Sequence, residues 1–331
     1  MPHLLRLLVA LLVPLTFSLR AAETLTPMTM QLDWKPNVQF AGILVALDRG
    51  FYREAGIDLT LRPVDQEMKV VESVVSGTNW IGCSESGVLL GARAHGAPIK
   101  AVGTMLQGSP FCLMSLSGKQ VRKPADLRGR ILGVHPDANL ALDIVLHSGR
   151  IPRSAMTCID VEHSIQPLVQ GQIDVLMGYL IDEAVALQTA GHSINIIRGY
   201  EHGYVAYSQV YFTSEALLAR DPALVGRFLD ASHRGWTEAA RDPEAVVRLV
   251  TTRFLPGVDP EYQRRSLAEI LKLAILESGK GSFGTMKKST WKKMVRSFNE
   301  SGILPRPLTA GEMTDFRFQP QPSKARRKEG N

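Results

Sequence analysis

The sequence has few cysteines and no strongly apolar composition. Cys83, Cys112 and Cys158 are its only cysteines in 331 residues, and they are scattered along the chain. Three scattered cysteines allow at most one disulfide, which excludes a disulfide-stapled scaffold. The hydrophobic fraction of 45% is typical of globular proteins and gives no support for a multi-span membrane protein. A chain of this length predicts two lobes or one large domain.

The sequence also lacks the common catalytic motifs. It contains no His-Glu-x-x-His, no Cys-x-x-Cys, no Gly-x-Ser-x-Gly elbow and no phosphate-binding loop ending in Gly-Lys-Ser or Gly-Lys-Thr. The eight histidines are dispersed, so each is interpreted as structural or surface-exposed rather than as a metal ligand. We therefore expect no catalytic residue, no metal and no cofactor.

The net charge of +6 is concentrated at the two ends of the chain. Residues 1–22 hold two arginines and no acid, and residues 319–331 hold four basic residues against Glu329. The body between them is nearly neutral, with interspersed charges and no basic helix face, which argues against nucleic-acid binding. We interpret residues 319–331 as a basic disordered tail.

The N-terminus has the pattern of a secretory signal. Arg6 precedes an apolar run over residues 7–19, and Ala21 and Ala22 are small residues suited to signal-peptidase cleavage. The run is shorter than the ~20 residues of a spanning helix. No cysteine lies near the cleavage point, so the product is not a lipoprotein. We predict a signal peptide over residues 1–22 and a periplasmic location.

After the signal, strand-like and helix-like segments alternate, which is typical of an α/β protein. A turn near Lys123 and Pro124 indicates that a second module begins close by. The aromatic, β-prone segment 204–213 is expected to return to the first module. The predicted organisation is a first part of lobe 1 at 23–118, lobe 2 at 119–203, and a return to lobe 1 with C-terminal helices at 204–318.

Three Asp-Pro pairs predict consecutive helices in the C-terminal part. They are Asp221-Pro222, Asp242-Pro243 and Asp259-Pro260. An aspartate at the N-cap followed by proline at the first helical position suits both the free backbone N–H groups and the helix dipole. These helices are expected to pack on lobe 1 and to carry little chemistry.

Candidate ligand contacts follow the strands of both modules. In open α/β sheets the carboxyl ends of strands form the ligand crevice. Aromatic side chains there can stack on a flat ring, and carboxylates and amides can hydrogen-bond its edges. The candidate residues are Trp34, Asn37, Ser84, Glu85, His135, Asp137, Tyr179, Glu183 and Tyr204.

Several of these candidates have structural alternatives that the sequence leaves open. Trp34 also suits a core position, and Tyr179 and Tyr204 also suit packing at a hinge. Asp137, and Asp182 beside the candidates, also suit the N-cap of a helix. Glu85 has the weakest structural alternative to ligand contact, because it stands between two serines at a helix start.

The opening of the mature chain carries a family resemblance. Residues 31–37 (QLDWKPN), 42–52 (GILVALDRGFY) and 54–59 (EAGIDL) resemble the periplasmic binding proteins for thiamine pyrimidine precursors, and the similarity continues through 124–129 (PADLRG), 171–174 (GQID) and 207–236. Their superfamily includes aliphatic sulfonate binders, riboflavin binders and thiamine pyrimidine synthases. The resemblance implies a type II periplasmic binding fold, with two lobes that close on a ligand, and an inner-membrane ABC permease as partner.

The resemblance also implies which alternatives to weigh. The synthases carry a pyridoxal-binding lysine where this chain has Ser84, a histidine near Val88, and a cysteine-rich run where 202–206 stands. A Schiff base needs an amine, so synthesis is disfavoured. Sulfonate is disfavoured because Trp34 and Glu85 suit a nitrogen heterocycle better than an anion. Riboflavin and a sensory binding module remain alternatives.

We therefore expect a monomeric solute-binding protein that binds a thiamine pyrimidine precursor or a similar planar nitrogen heterocycle and delivers it to the permease. Trp34 is expected to stack on the ring and Glu85 to accept a hydrogen bond from its amino group. The other candidates are expected to supply the remaining contacts. A ligand that touches both lobes shifts an open and closed equilibrium through its differential affinity, and no covalent step is required.

Overall fold

The structure, a computed structural model, describes residues 24–64, 69–135, 139–162, 164–279 and 282–319. The predicted signal peptide, residues 320–331 of the predicted tail and the candidate Asp137 lie outside these ranges.

Ten strands in the described chain form two five-stranded sheets. The strands are β1 (Thr26–Gln31), β2 (Ile57–Arg62), β3 (Trp80–Ser84), β4 (Ile99–Leu106), β5 (Phe111–Leu116), β6 (Ile131–Val134), β7 (Thr157–Asp160), β8 (Val175–Tyr179), β9 (Ile194–Arg198) and β10 (Ser208–Ser214). The first sheet has the order β2-β1-β3-β10-β4 and the second β7-β6-β8-β5-β9.

Each sheet is mainly parallel with one antiparallel strand inside it. β1 pairs in parallel with β2 and β3, and β6 pairs in parallel with β7 and β8. β10 runs antiparallel between β3 and β4, and β5 runs antiparallel between β8 and β9. The chain thus leaves the first sheet after β4 and re-enters it with β10.

The first crossing between the sheets lies earlier than the predicted boundary at 118/119. β5 belongs to the second sheet, so the chain crosses within residues 107–110, which include Gly108 and Pro110. The strand was missed because its residues are buried on both faces and show no alternation of polar and apolar side chains. The turn at Lys123 and Pro124 is a 3-10 turn within the second lobe.

Thirteen α-helices in the described chain cover the sheets. They are α1 (Ala41–Asp48), α2 (Phe51–Glu54), α3 (Val70–Ser76), α4 (Ser86–Ala94), α5 (Asn139–Ser148), α6 (Gln166–Val169), α7 (Glu183–Thr189), α8 (Glu215–Arg220), α9 (Pro222–Arg241), α10 (Pro243–Leu249), α11 (Pro260–Ala274), α12 (Lys288–Ser301) and α13 (Ala310–Met313). None of the helices in the described ranges is both long enough and apolar enough to cross a membrane.

The three predicted Asp-Pro helix starts are confirmed. The carboxylates of Asp221, Asp242 and Asp259 accept hydrogen bonds from backbone N–H groups of the first turns of α9, α10 and α11, at 2.9, 3.0 and 2.9 Å. Each cap satisfies a backbone donor that the helix itself leaves free.

Apolar side chains alternate between the two faces of each sheet. In β10, Val210 and Phe212 face one cluster, whereas Tyr211 faces the other, which contains the buried Trp236 of α9. α9 packs closely on α1 because Gly235 has no side chain: a Cβ there would lie 1.9 Å from a backbone oxygen of α1. The helices therefore hold the strands, and the loops that follow them, in fixed positions.

Candidate ligand-binding site

A cavity of about 240 Å³ lies where loops of the two lobes meet. The first lobe contributes the ends of β1 and β3 and the start of β10, the second lobe contributes the end of β8, and Pro110 of the crossing completes the wall. The lining residues are Asp33, Trp34, Gln39, Glu85, Pro110, Tyr179, Ile181, Asp182, Ser208 and Gln209.

Two carboxylates stand side by side in the first-lobe wall. Asp33 and Trp34 follow β1, and Glu85 follows β3, directly beside β1 in the sheet. Because the two strands are parallel, their carboxyl ends meet at one edge and bring both side chains to the cavity. Trp34 is 42% exposed, so its ring is available to a ligand.

Glu85 occupies the N-cap position of α4 but makes no capping hydrogen bond with its side chain. Its carboxylate instead accepts from the Ser208 hydroxyl, and the backbone N–H and the side-chain amide of Gln209 also interact with it. Burial raises the pKa of Glu85 to about 7; repulsion from Asp33 adds to the rise, and the donors of Ser208 and Gln209 oppose it. Near neutral pH the group is poised between its charged and neutral forms.

Asp33 is held by two side-chain donors. The Gln209 amide donates to Oδ2 at 2.7 Å, and the Cys83 thiol donates to Oδ1 at 3.5 Å. Burial nevertheless raises the pKa of Asp33 to about 6, since these hydrogen bonds offset only part of the desolvation. Both carboxylates would gain from a ligand that donates hydrogen bonds or carries positive charge.

Gln209 sits in a strained backbone conformation beside these carboxylates. Its φ of 54° is in the left-handed region, which costs free energy for a residue other than glycine. The residue is buried, and its side-chain Oε1 has no hydrogen-bond partner among the described residues. Backbone strain together with an unpaired hydrogen-bond acceptor is typical of residues in a binding or catalytic site.

The second lobe closes the cavity with residues that follow β8. The Tyr262 hydroxyl donates to Asp182, and the Ser266 hydroxyl donates to the Ile181 carbonyl at 2.7 Å, so α11 holds this loop against the first lobe. Behind it, the buried Glu183 carboxylate accepts from the Tyr179 backbone N–H at 2.8 Å. These contacts position the Tyr179 ring at the cavity.

The described lining of this cavity contains three carboxylates and no lysine, arginine or histidine. The carboxylates belong to Asp33, Glu85 and Asp182. An anionic ligand would meet repulsion on both sides, whereas an amino-bearing ligand would find acceptors on both. In the part of the chain that the structure describes, no group of three or more His, Cys, Asp and Glu side chains could hold a metal ion.

A second cavity of about 310 Å³ adjoins the first, and Glu85 and Tyr179 line both. Tyr204 lies in its wall, with its ring 5.5 Å from that of Phe111 at an interplanar angle of 68°. Burial raises the pKa of Tyr204, and the charge of Glu85 adds to this, so the hydroxyl stays protonated.

The structure brings four of the nine candidates to these cavities. Trp34, Glu85 and Tyr179 line the first cavity, and Glu85, Tyr179 and Tyr204 line the second. Asp182, weighed as a helix cap, stands at the N-cap position of α7 without a capping side-chain hydrogen bond and lines the first cavity.

Four other candidates are not among the lining residues of either cavity. Asn37 accepts from the backbone N–H of Gln39 at 2.8 Å and so caps a 3-10 turn. Ser84 is buried at the end of β3, and a ring nitrogen of the buried His135 lies 3.0 Å from the Val161 carbonyl. Glu183 supports Tyr179, as described above.

Sequence reasoning missed Asp33, Gln39, Pro110, Ile181, Ser208 and Gln209. Asp33 could have been found, because it precedes Trp34 at the same strand end. Ser208 and Gln209 gave no local signal, since they reach the cavity only through the antiparallel insertion of β10 beside β3.

Comparison with known proteins identifies the family. Residues 37–246 match the family model described as "NMT1/THI5 like". A riboflavin-binding protein, RibY of Chloroflexus aurantiacus, is 27% identical over 91% of this chain and 88% of its own length. A formylaminopyrimidine-binding protein of Halalkalibacterium halodurans is 22% identical over 87% of this chain and 89% of its own. A relative named 4-amino-5-hydroxymethyl-2-methylpyrimidine phosphate synthase, from Legionella pneumophila, is 26% identical over 71% and 76%.

The fold has solved counterparts among periplasmic binding proteins. The periplasmic aliphatic sulphonate binding protein SsuA from Escherichia coli superimposes with a TM-score of 0.69, at 11% identity, over 90% of this chain and 94% of its own. The predicted two-lobe type II fold and the predicted superfamily are confirmed.

Proposed function

Because this chain belongs to the NMT1/THI5-like family, we propose that it is a periplasmic solute-binding protein that captures a planar, amino-bearing nitrogen heterocycle between its lobes and delivers it to an inner-membrane ABC permease. The proposed ligand is a thiamine pyrimidine precursor, an aminopyrimidine. The relatives named for binding riboflavin and formylaminopyrimidine support a planar nitrogen heterocycle as the ligand class.

The observation that carries this proposal is the pair of carboxylates, Asp33 and Glu85, beside the exposed ring of Trp34. An aminopyrimidine presents a flat face and amino hydrogens at its edge. Trp34 would stack on the face, and the two carboxylates would accept from the edge. The raised pKa values of both acids mark carboxylates that lack sufficient donors, which such a ligand supplies.

Ligand binding would favour closure because the cavity wall comes from both lobes. Trp34, Asp33 and Glu85 belong to the first lobe, and Tyr179 and Asp182 to the second. A ligand that contacts both walls has higher affinity for the closed arrangement and shifts the equilibrium toward it. The permease would then receive a closed, loaded protein.

A synthase activity is disfavoured by the side chain at the end of β3. Ser84 stands where the resemblance places the pyridoxal-binding lysine, and a hydroxyl cannot form a Schiff base. No lysine is among the described lining residues of either cavity. The residues present therefore do not fit pyridoxal phosphate.

Riboflavin is the second candidate ligand, since the relative named for it matches over most of both chains. Its ring system is also a planar nitrogen heterocycle, so stacking on Trp34 would serve it equally. The two candidates differ in the edge presented to Asp33 and Glu85: an amino group donates there, whereas a flavin presents both carbonyl oxygens and a ring N–H.

Isothermal titration calorimetry tests the proposal with a matched pair of pyrimidines. The probes are 4-amino-5-hydroxymethyl-2-methylpyrimidine and its 4-methoxy analogue, which keeps the ring but has no amino donor. We expect the amino compound to bind at least tenfold more tightly than the methoxy compound, because the latter leaves a carboxylate unpaired. Equal binding of the two, or binding of riboflavin without the amino compound, would contradict the aminopyrimidine assignment.

A further inference from the structure

The second cavity has an apolar wall that the proposed aminopyrimidine does not use. Its lining residues are Glu85, Gly87, Val88, Ser109, Phe111, Leu140, Ala141, Tyr179, Tyr204, Phe298 and Ile303. Glu85 is the one carboxylate in this described lining, which holds no lysine, arginine or histidine. Glu85 and Tyr179 line both cavities, so the two cavities are direct neighbours.

The rim of this cavity leaves large apolar side chains in water. Val88 of α4 is 54% exposed and Ile303, just after α12, is 55% exposed. Phe298 of α12 is a buried residue of the same lining. An apolar group that covered Val88 and Ile303 would remove their surface from water, which is favourable in proportion to the apolar area buried.

Gly87 packs closely on Phe298 in the wall of this cavity. A Cβ at Gly87 would lie 3.0 Å from the Phe298 ring, so a larger residue there would require the ring to shift. The size is adequate for a ring, since an apolar cavity of about 150 Å³ takes up benzene, and this cavity has about twice that volume.

We propose that the second cavity is a subsite for an apolar extension of the ligand, so that an amino-bearing heterocycle carrying an aromatic or branched alkyl group about the size of benzyl binds more tightly than the heterocycle without it. This inference rests on the proposed function. The heterocycle lies between Trp34 and the two carboxylates, and the extension passes Tyr179 to contact Phe111, Tyr204 and Ile303.

The test compares 4-amino-2,5-dimethylpyrimidine with 5-benzyl-4-amino-2-methylpyrimidine by isothermal titration calorimetry. The two share the ring and the amino group and differ in the extension. We expect the benzyl compound to bind wild-type protein at least tenfold more tightly. Val88→Asp and Ile303→Asp, which place a carboxylate at the exposed rim, are expected to remove most of that gain, measured in each variant as the ratio of the affinities for the two compounds. Ile159→Asp, at a 40% exposed position on β7, is the matched control and should keep the gain.

Each outcome is informative about one of the two proposals. Loss of the benzyl gain in both rim variants, with the gain kept in Ile159→Asp, supports the second cavity as a subsite. Equal affinity of the two compounds for wild type, or a gain that survives both rim substitutions, overturns the subsite and leaves the proposed function intact. Binding of neither compound to folded wild-type protein overturns the proposed function together with the subsite.

Discussion

Carboxylates at helix starts behave in opposite ways in two regions of this molecule. In the C-terminal helices, Asp221, Asp242 and Asp259 stand at N-cap positions, and each accepts a backbone hydrogen bond. At the cleft, Glu85 and Asp182 stand at N-cap positions of α4 and α7, and neither makes a capping side-chain bond. A carboxylate at the N-cap position therefore stabilises the helix in one region and lines a cavity in the other.

The two regions also differ in what the carboxylates do to stability. A raised pKa means that the folded protein binds the proton more tightly than the unfolded chain does. For Glu85, with a pKa of about 7 instead of 4.5, the free energy of unfolding of the ligand-free protein declines as pH rises from about 4.5 through 7. The buried cleft carboxylates therefore lower the stability of the ligand-free protein. A ligand that donates hydrogen bonds to them offsets this loss.

The largest expected effect comes from neutralising both cleft acids. The double variant Asp33→Asn with Glu85→Gln should weaken binding of 4-amino-5-hydroxymethyl-2-methylpyrimidine about 100-fold, equivalent to about 2.7 kcal/mol, because two charge-assisted hydrogen bonds are lost. Calorimetric titration measures the change. Asp242→Asn is the control outside the cavity, and a similar loss in that variant would remove the distinction between the two regions.

Removing the exposed ring should have a smaller effect. Trp34→Ala should weaken the same binding about tenfold, equivalent to about 1.4 kcal/mol, since stacking and some apolar contact are lost while the carboxylates remain. Trp34→Phe keeps an aromatic face and should recover most of the affinity. Unchanged affinity in Trp34→Ala would show that the ring does not contact the ligand.

The smallest effect concerns the stability that the C-terminal caps provide, which Glu85 is not expected to provide. Asp221→Ala should lower the free energy of unfolding by about 1 kcal/mol through loss of the cap, with ligand affinity unchanged. Glu85→Gln has no cap to lose and should not lower stability at pH 7.5. Chemical denaturation measures the free energy of unfolding of both variants. A destabilised Glu85→Gln together with an Asp221→Ala as stable as the wild type would contradict the difference between the two regions.

The sequence predicted what depends on neighbours in the chain. The three Asp-Pro starts, the strand ends at Trp34 and Tyr179, and the position of Glu85 all follow from local patterns. Asn37 shows the limit of such patterns: it follows the same strand as Trp34, yet its side chain caps a 3-10 turn. A strand end identifies the region of a site, but the contacts within it depend on the tertiary structure.

What escaped prediction depends on distant pairing. Gln209 contacts Asp33 across 176 positions of sequence because β10 inserts antiparallel beside β3. β5 was not predicted for a similar reason, because its place in the second sheet depends on antiparallel pairing with β8 and β9. The β-prone character of segment 204–213 predicted a return to the first lobe, but the partner and direction of a strand inside a sheet carry no local sequence signal, since they depend on the packing of the whole lobe.

NMR titration of the Glu85 carboxyl carbon shows whether the cleft carboxylates need a ligand that donates hydrogen bonds. Glu85→Gln assigns the signal. We expect a midpoint near pH 7 in the ligand-free protein, and a midpoint at least one pH unit lower when 4-amino-5-hydroxymethyl-2-methylpyrimidine is bound, because its amino group stabilises the charged form. A midpoint near 4.5 in the ligand-free protein that does not move on addition of the pyrimidine would contradict it.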